Sequence, residues 1–306
     1  MGRVVGGIGC SHAPALAAVY DSQGQDKPKW KPIFDGFAAA RRWLDARQPD
    51  LLLIAYNDHL NHFFFDAYPT FALGVAAEFP LADEGRATRA FDKLPGHPEF
   101  AWHLARCLLQ DEFDPTICQE MPLDHGVLAP LPLLAAHPWR VPVVPLAVNV
   151  IQHPLPTARR CFRLGQAIGR AVAAYPRPLD VVVLGTGGLS HQLHGPDFGM
   201  INPAWDRAFL DLLETDPPAL AALSHQEYMQ RGGAEAVEMI IWLIMRGALG
   251  DAITRVHRTY DTPALTGLAV SVFEPAPPGQ DAVARRQETI PSPLPEPPGM
   301  PPPELA

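Results

Sequence analysis

Apolar positions along the 306-residue chain fall into two kinds of run. Short, nearly unbroken stretches predict strands at Val4 to Ile8, Leu51 to Tyr56, Val141 to Val148, Asp180 to Leu184 and Leu268 to Phe273. Between them, apolar residues recurring every three or four positions predict helices. These cover Phe37 to Ala46, Pro98 to Leu109, Ala158 to Ala174, Pro203 to Leu213 and Ala234 to Leu249. Strands without polar alternation need cover on both faces. The expected fold is therefore α/β, one domain with a central, largely buried β-sheet flanked by helices. The pattern stops near residue 275. Residues 275–306 hold 11 of the 35 prolines and almost nothing to bury. A folded domain over 1–275 and a disordered proline-rich tail over 276–306 are expected.

Composition narrows the function. With 47% hydrophobic and 19% charged residues the chain reads as globular. A net charge of −9 offers no basic face to nucleic acid or an anionic membrane. No apolar run approaches the roughly 18 residues of a membrane-spanning helix. Cys10, Cys107, Cys118 and Cys161 are scattered without C-x-x-C spacing, which argues for reduced, buried thiols. With no signal-peptide core at the start, the expected location is the cytoplasm.

Ligands of open α/β sheets gather at the carboxyl ends of strands. His12 follows the first predicted strand, in "GCSHAPAL". His59 and His62 follow the second, in "YNDHLNH", and His191 and His194 follow the strand at 180–184, in "GTGGLSHQLHG". The segment "MPLDHGVLAPL" sets Asp124 and His125 before a glycine. His97, His103, His137, His153, His225 and His257 lie in helical or proline-flanked polar contexts and read as structural or solvent-exposed. The sharper clue is Glu238, the only charge between Ala236 and Met245 in a stretch apolar nearly all round. A carboxylate buried there must be protonated, paired or bound to a cation. Glu235, three residues earlier, suits a capping role instead. Two loop histidines and a helical carboxylate would form the facial triad of non-haem Fe(II) enzymes. Zinc hydrolases use the same donors, and spacing does not choose between the metals.

The segments "GIGCSHAPAL", "YNDH", "FALGVAAEF", "LDHGVLAPL", "GTGGLSHQL" and "VEMIIWLIMRGAL", in order over about residues 3–273, resemble the class III (LigB-type) extradiol ring-cleavage dioxygenases. Within that family the resemblance is to protocatechuate 4,5-dioxygenase β-subunits and the gallate and 3-O-methylgallate dioxygenases. It implies Fe(II) held by His12, His59 and Glu238, with His191 as acid/base. His125 would hydrogen-bond substrate or oxygen, and Asn57 and Asp58 would orient His59 or the substrate. His62 and His194 have no counterpart. The implied reaction opens a catechol-type carboxylic acid beside its diol with O2, in catabolism of lignin-derived aromatics, without an organic cofactor. A non-catalytic binding protein of this fold would lack some of these residues, and all are present.

Departures from the family bear on substrate and partners. Where protocatechuate enzymes carry Asp-Glu-Gly-Trp-Gly-Pro-Arg, this chain reads "ADEGRATRAF" from Ala82 to Phe91. Near the last strand, "PALTGLAV" sets Leu265 and Thr266 where a Ser-Asn-Thr-like stretch is usual. If Leu265 lines the pocket, a polar contact has become apolar, which suits a methoxy or otherwise altered ring substituent. The family also implies a homo- or hetero-oligomer, with either a small α-subunit over the site or an open pocket.

Overall fold

The computed structural model describes residues 1–85 and 89–276. Residues 277–306 of the proline-rich stretch, and residues 86–88 of the Ala82 to Phe91 segment, lie outside the described residues. The first half of the chain runs β1 (Gly2–Cys10), α1 (Pro14–Asp21), α2 (Lys31–Arg47), β2 (Leu51–Tyr56), β3 (Phe71–Gly74), β4 (Glu78–Phe79), β5 (Leu94–Pro95), α3 (Pro98–Gln110) and β6 (Thr116–Cys118). Then come α4 (His125–Leu128), α5 (Leu131–Leu134), β7 (Val143–Val148), α6 (Ala158–Ala174) and β8 (Leu179–Thr186). The last part holds α7 (Pro203–Thr215), α8 (Pro217–Ala222), α9 (His225–Gly232), a 3₁₀ turn (Ala234–Glu238), α10 (Met239–Ala248), β9 (Ile253–Asp261) and β10 (Leu268–Pro275).

Eight strands form one sheet in the order β6-β3-β7-β2-β8-β1-β10-β9. The inner four, β7, β2, β8 and β1, are mutually parallel. β10 and β9 close one side antiparallel, and β3 pairs antiparallel with β7. Alternation within β2 shows why its whole run is apolar. Leu51, Leu53 and Ala55 enter one core, while Leu52, Ile54 and Tyr56 enter the other. The first core lies under α3, α6, α7 and α10, and the second under α1, α2 and α5. Such two-faced burial is worth about 1.5–3 kcal/mol for each large aliphatic side chain.

The strands expected from apolar runs are all present. β3, β4, β5 and β6 are too short to leave a pattern, and the polar edge strand β9 carries little apolar signal. One expected helix needs correction. The segment from Ala234 to Leu249 is not continuous, because a 3₁₀ turn ends at Glu238 and the α-helix begins at Met239. Every residue of α10 is buried, and glycines allow this. A Cβ on Gly9 of β1 would lie 2.3 Å from the Trp242 ring, and one on Gly165 of α6 would lie 2.1 Å from the Ile244 carbonyl oxygen. α10 thus lies directly on β1 and β8, and its N-terminal end sits at their carboxyl ends.

Candidate functional site

The parallel strands end on a common edge, and the chemistry-bearing residues leave from it. His12 comes two residues after β1, Asn57-Asp58-His59 directly after β2, and Gly187 to His191 directly after β8. Glu238 is carried to the same edge by the packing of α10. Nitrogens of His12 and His59 and a Glu238 carboxylate oxygen lie within 4.8 Å of one another. Glu238 Oε2 is 3.3 Å from His12 Nε2, and Oε1 is 3.7 Å from His59 Nε2.

Hydrogen bonds decide which nitrogens face inward. The Thr186 hydroxyl gives its one proton to the Gly126 carbonyl at 2.8 Å, so it must accept from His12 Nδ1, 2.9 Å away. His12 Nε2 is left with a bare lone pair. That atom is buried, has no hydrogen-bond partner, and faces the Glu238 carboxylate. Two acceptors held in contact repel unless a cation lies between them. Imidazole and carboxylate donors suit a divalent transition metal, so the residues present fit such an ion.

His59 is aimed differently. Asp124 Oδ2 accepts from the His59 backbone N–H at 2.7 Å and from its Nδ1 at 2.9 Å, which turns Nε2 to the centre. Carboxylate support of this kind orients a metal-ligating ring and raises its basicity. Burial resists a charge on His59, yet Asp124 and Glu238 lift its pKa to about 10. Burial moves His12 the other way, lowering its pKa against the pull of Glu238. For Glu238, burial alone would raise the carboxyl, but the neighbouring histidines hold it well below its ordinary value. The Gly188 N–H also donates to Glu238 Oε2, at 2.6 Å.

A family model described as the catalytic LigB subunit of aromatic ring-opening dioxygenase matches residues 6–271. The chain belongs to the LigB family. It is 42% identical over 216 residues to a gallate dioxygenase of Pseudomonas putida, an alignment covering 70% of this chain and 61% of that protein. The chain thus spans less than two thirds of that relative's length. It is 31% identical over 255 residues to a 2,3-dihydroxyphenylpropionate/2,3-dihydroxicinnamic acid 1,2-dioxygenase of Burkholderia vietnamiensis, covering 69% of this chain and 78% of the relative. A crystal structure of an uncharacterized Escherichia coli protein shares the fold at 16% identity, with a TM-score of 0.54 over 87% of this chain and 99% of the other.

In this LigB chain the segment "LDHG" now has a physical reading. Asp124 caps α4, accepting from the Gly126 N–H at 2.9 Å through Oδ1 while Oδ2 holds His59. Gly126 gives its N–H to Asp124 and its carbonyl to Thr186, so the supports of His59 and His12 meet on one residue. A side chain there would not fit, since a Cβ would lie 2.7 Å from the Asn57 carbonyl oxygen. His125 stacks on His59 with ring centroids 3.8 Å apart, and its Nδ1 bonds Glu84. Of the supporting residues, sequence reading names Asp124 without giving it a role and does not select Thr186. An aspartate before a short helix was the available sign for the first, and Thr186 left none.

A cavity of about 570 Å³ opens over the centre, lined among others by His12, His59, His125, His191 and Glu238. His191 is buried, and its Nδ1 donates to the Leu189 carbonyl at 2.8 Å, leaving Nε2 as the free base of the neutral ring. Gly188 makes room between His191 and Glu238, because a Cβ there would lie 2.5 Å from His191 Cε1. The Asn57 amide Nδ2 lies 2.9 Å from His59 Nε2 and 3.4 Å from Glu238 Oε1. Asp58 is turned away, accepting the backbone N–H groups of Asn61, His62 and Phe63, so it shapes the loop rather than the His59 ring.

Several expectations need correction. Thr266 lines the cavity, but Leu265 does not and is 47% exposed. Thr266 is held at the cavity by an isolated bridge to His191, whereas Leu265 belongs to the bend just before it and faces out. The apolar pocket contact inferred from Leu265 is therefore absent. Glu235 is not a cap: it accepts the Leu193 N–H at 3.1 Å and pairs with His194 Nδ1 at 2.6 Å on the cavity wall. His153 is solvent-exposed, as expected, and borders the cavity. His62 lines a separate hollow with Glu78 and Lys93.

Proposed function

We propose that this LigB chain is a non-haem Fe(II) extradiol dioxygenase. Its substrate would be a catechol-type carboxylic acid of the protocatechuate, gallate or 3-O-methylgallate class, met in the catabolism of lignin-derived aromatics. The observation that carries the reading is the orphaned Nε2 of His12, set against Glu238 and beside His59 in a cavity that also holds His191. His12, His59 and Glu238 would hold the iron, which when bound supplies a common point of attachment for the diol oxygens and O2.

The chain's own residues supply the rest. His191 Nε2, freed by the Nδ1 bond to Leu189, takes a proton from a substrate hydroxyl and holds it for return during ring opening. His125, with Nδ1 tied to Glu84, offers its other nitrogen to substrate or oxygen. Asn57 steadies the His59 and Glu238 faces of the centre. Val150, Ile151, Leu155, Met229 and Val237 give the cavity an apolar wall that excludes water and accepts the ring. Among the described residues no helix is long and apolar enough to cross a membrane. We read the chain as working in a homo- or hetero-oligomer, with a small α-subunit as one means of closing the cavity.

Loading the purified chain with Fe(II) under anaerobic conditions and measuring oxygen uptake tests the reading. Uptake is expected with at least one of protocatechuate, gallate, 3-O-methylgallate and catechol. Full occupancy by zinc with no iron-dependent uptake would overturn it.

A further inference from the structure

One buried carboxylate has no part in the metal centre. Asp206, in the first turn of α7, is fully buried and, among the described residues, has no cation as a hydrogen-bond partner. Its Oδ1 accepts the Ser190 backbone N–H at 2.8 Å. Its Oδ2 accepts the Ser190 hydroxyl at 2.7 Å and the Tyr260 hydroxyl at 2.8 Å. The Ser190 hydroxyl in turn accepts the Asn202 N–H at 2.7 Å, and the Ser190 carbonyl accepts the Gly267 N–H at 2.9 Å. Every polar group of Ser190 is thus engaged. Gly267 completes the fit, since a Cβ there would lie 2.2 Å from Asp206 Oδ2.

Ser190 is the middle residue of the tight turn in which His191 Nδ1 reaches back to the Leu189 carbonyl at 2.8 Å. That bond selects the tautomer with Nε2 free. Burying a charged carboxylate costs free energy that a well-packed apolar side chain would not. Here the cost is met by locking one residue, and that residue sits between the two ends of the tautomer-setting bond. We propose that Asp206 is a positioning residue for His191: through Ser190 and braced by Tyr260, it fixes the Leu189-Ser190-His191 turn and so selects the His191 tautomer that carries its proton on Nδ1 and aims Nε2 into the cavity. The inference rests on the acid/base role proposed for His191, while the tautomer itself is measurable without any reaction.

Asp206→Asn weakens the clamp in either amide orientation. Either the Ser190 N–H faces the NH2 group, or the Ser190 and Tyr260 hydroxyls lose the oxygen to which they donate. In metal-free protein labelled with ¹⁵N-histidine, His191 (assigned through His191→Gln) is expected to show a single Nδ1-protonated form, and a mixed or broadened form in Asp206→Asn. In the iron-loaded chain, kcat should fall by about tenfold or more while KM and metal content stay within about twofold. Ser190→Ala removes only the hydroxyl, and should show the same selective loss at smaller size should Asp206→Asn not fold. Unchanged His191 resonances, or a fall in melting temperature with kcat intact, would overturn the proposal. If the unaltered chain consumes no oxygen with any catechol, the functional reading fails and the NMR comparison still decides the clamp.

Discussion

His12 and His59 present the same atom to the same centre, yet their surroundings differ in kind. His12 is sealed at the end of β1, its side chain 3% exposed, and steered by a neutral hydroxyl. His59 sits on a loop, 23% exposed, and is steered by a carboxylate. The first arm gains its aim from burial within a rigid sheet. The second lacks that burial and obtains its aim from charge, with Asp124 binding both the ring and the backbone of the same residue. Both arms close on Gly126, one on its N–H and the other on its carbonyl. A metal-site ring can therefore be fixed by packing or by a charged hydrogen bond, and the choice follows from how much solvent the element meets.

The largest expected effect removes what both arms face. Glu238→Ala should abolish bound iron and oxygen uptake together, checked by metal analysis of the purified variant; retention of iron would mean that Glu238 is not a ligand. His191→Ala sharpens the contrast between holding the metal and moving the proton. It should keep iron and substrate affinity while turnover falls by roughly 10²-fold or more. Next comes the charged arm. Asp124→Asn leaves one acceptor oxygen to serve both His59 and the N-terminus of α4, and metal affinity should fall by about 10–100-fold in a chelator competition. An affinity unchanged within error would show that the loop is fixed by something other than Asp124.

Much of this architecture is legible in the sequence, for reasons that vary by residue. The inner strands are readable because two buried faces demand an unbroken apolar run, as in Leu51 to Tyr56. Glu238 stands out because a lone charge in a wholly apolar stretch is costly. His12, His59 and His191 can be placed as strand-end residues, but their joint assignment rests on the family likeness, since nothing local links segments so far apart. Asp124 is harder: an aspartate before a helix start already has a sufficient explanation as a cap, and its second oxygen does the less visible task. Thr186 reads as the last residue of a buried strand. Leu265 was misplaced because only Thr266 is pinned to the cavity, by its bridge to His191, while Leu265 lies in the bend before it, and the sequence does not state where that bend ends.

The neutral arm gives the smallest effect and the finest test. Thr186→Val keeps shape and burial but deletes the hydroxyl, leaving His12 Nδ1–H and the Gly126 carbonyl without their partner. Each unsatisfied buried group costs about 1–3 kcal/mol, so a lower melting temperature is expected. Metal affinity should fall by less than in Asp124→Asn, because packing still holds the ring in place. The two substitutions share one residue, Gly126, so they should not add. In the double variant Gly126 loses its hold on both sides, and a coupling of about 0.5–3 kcal/mol is expected from a double-mutant cycle on metal affinity. Strict additivity would mean that the two arms act independently and that Gly126 transmits nothing between them.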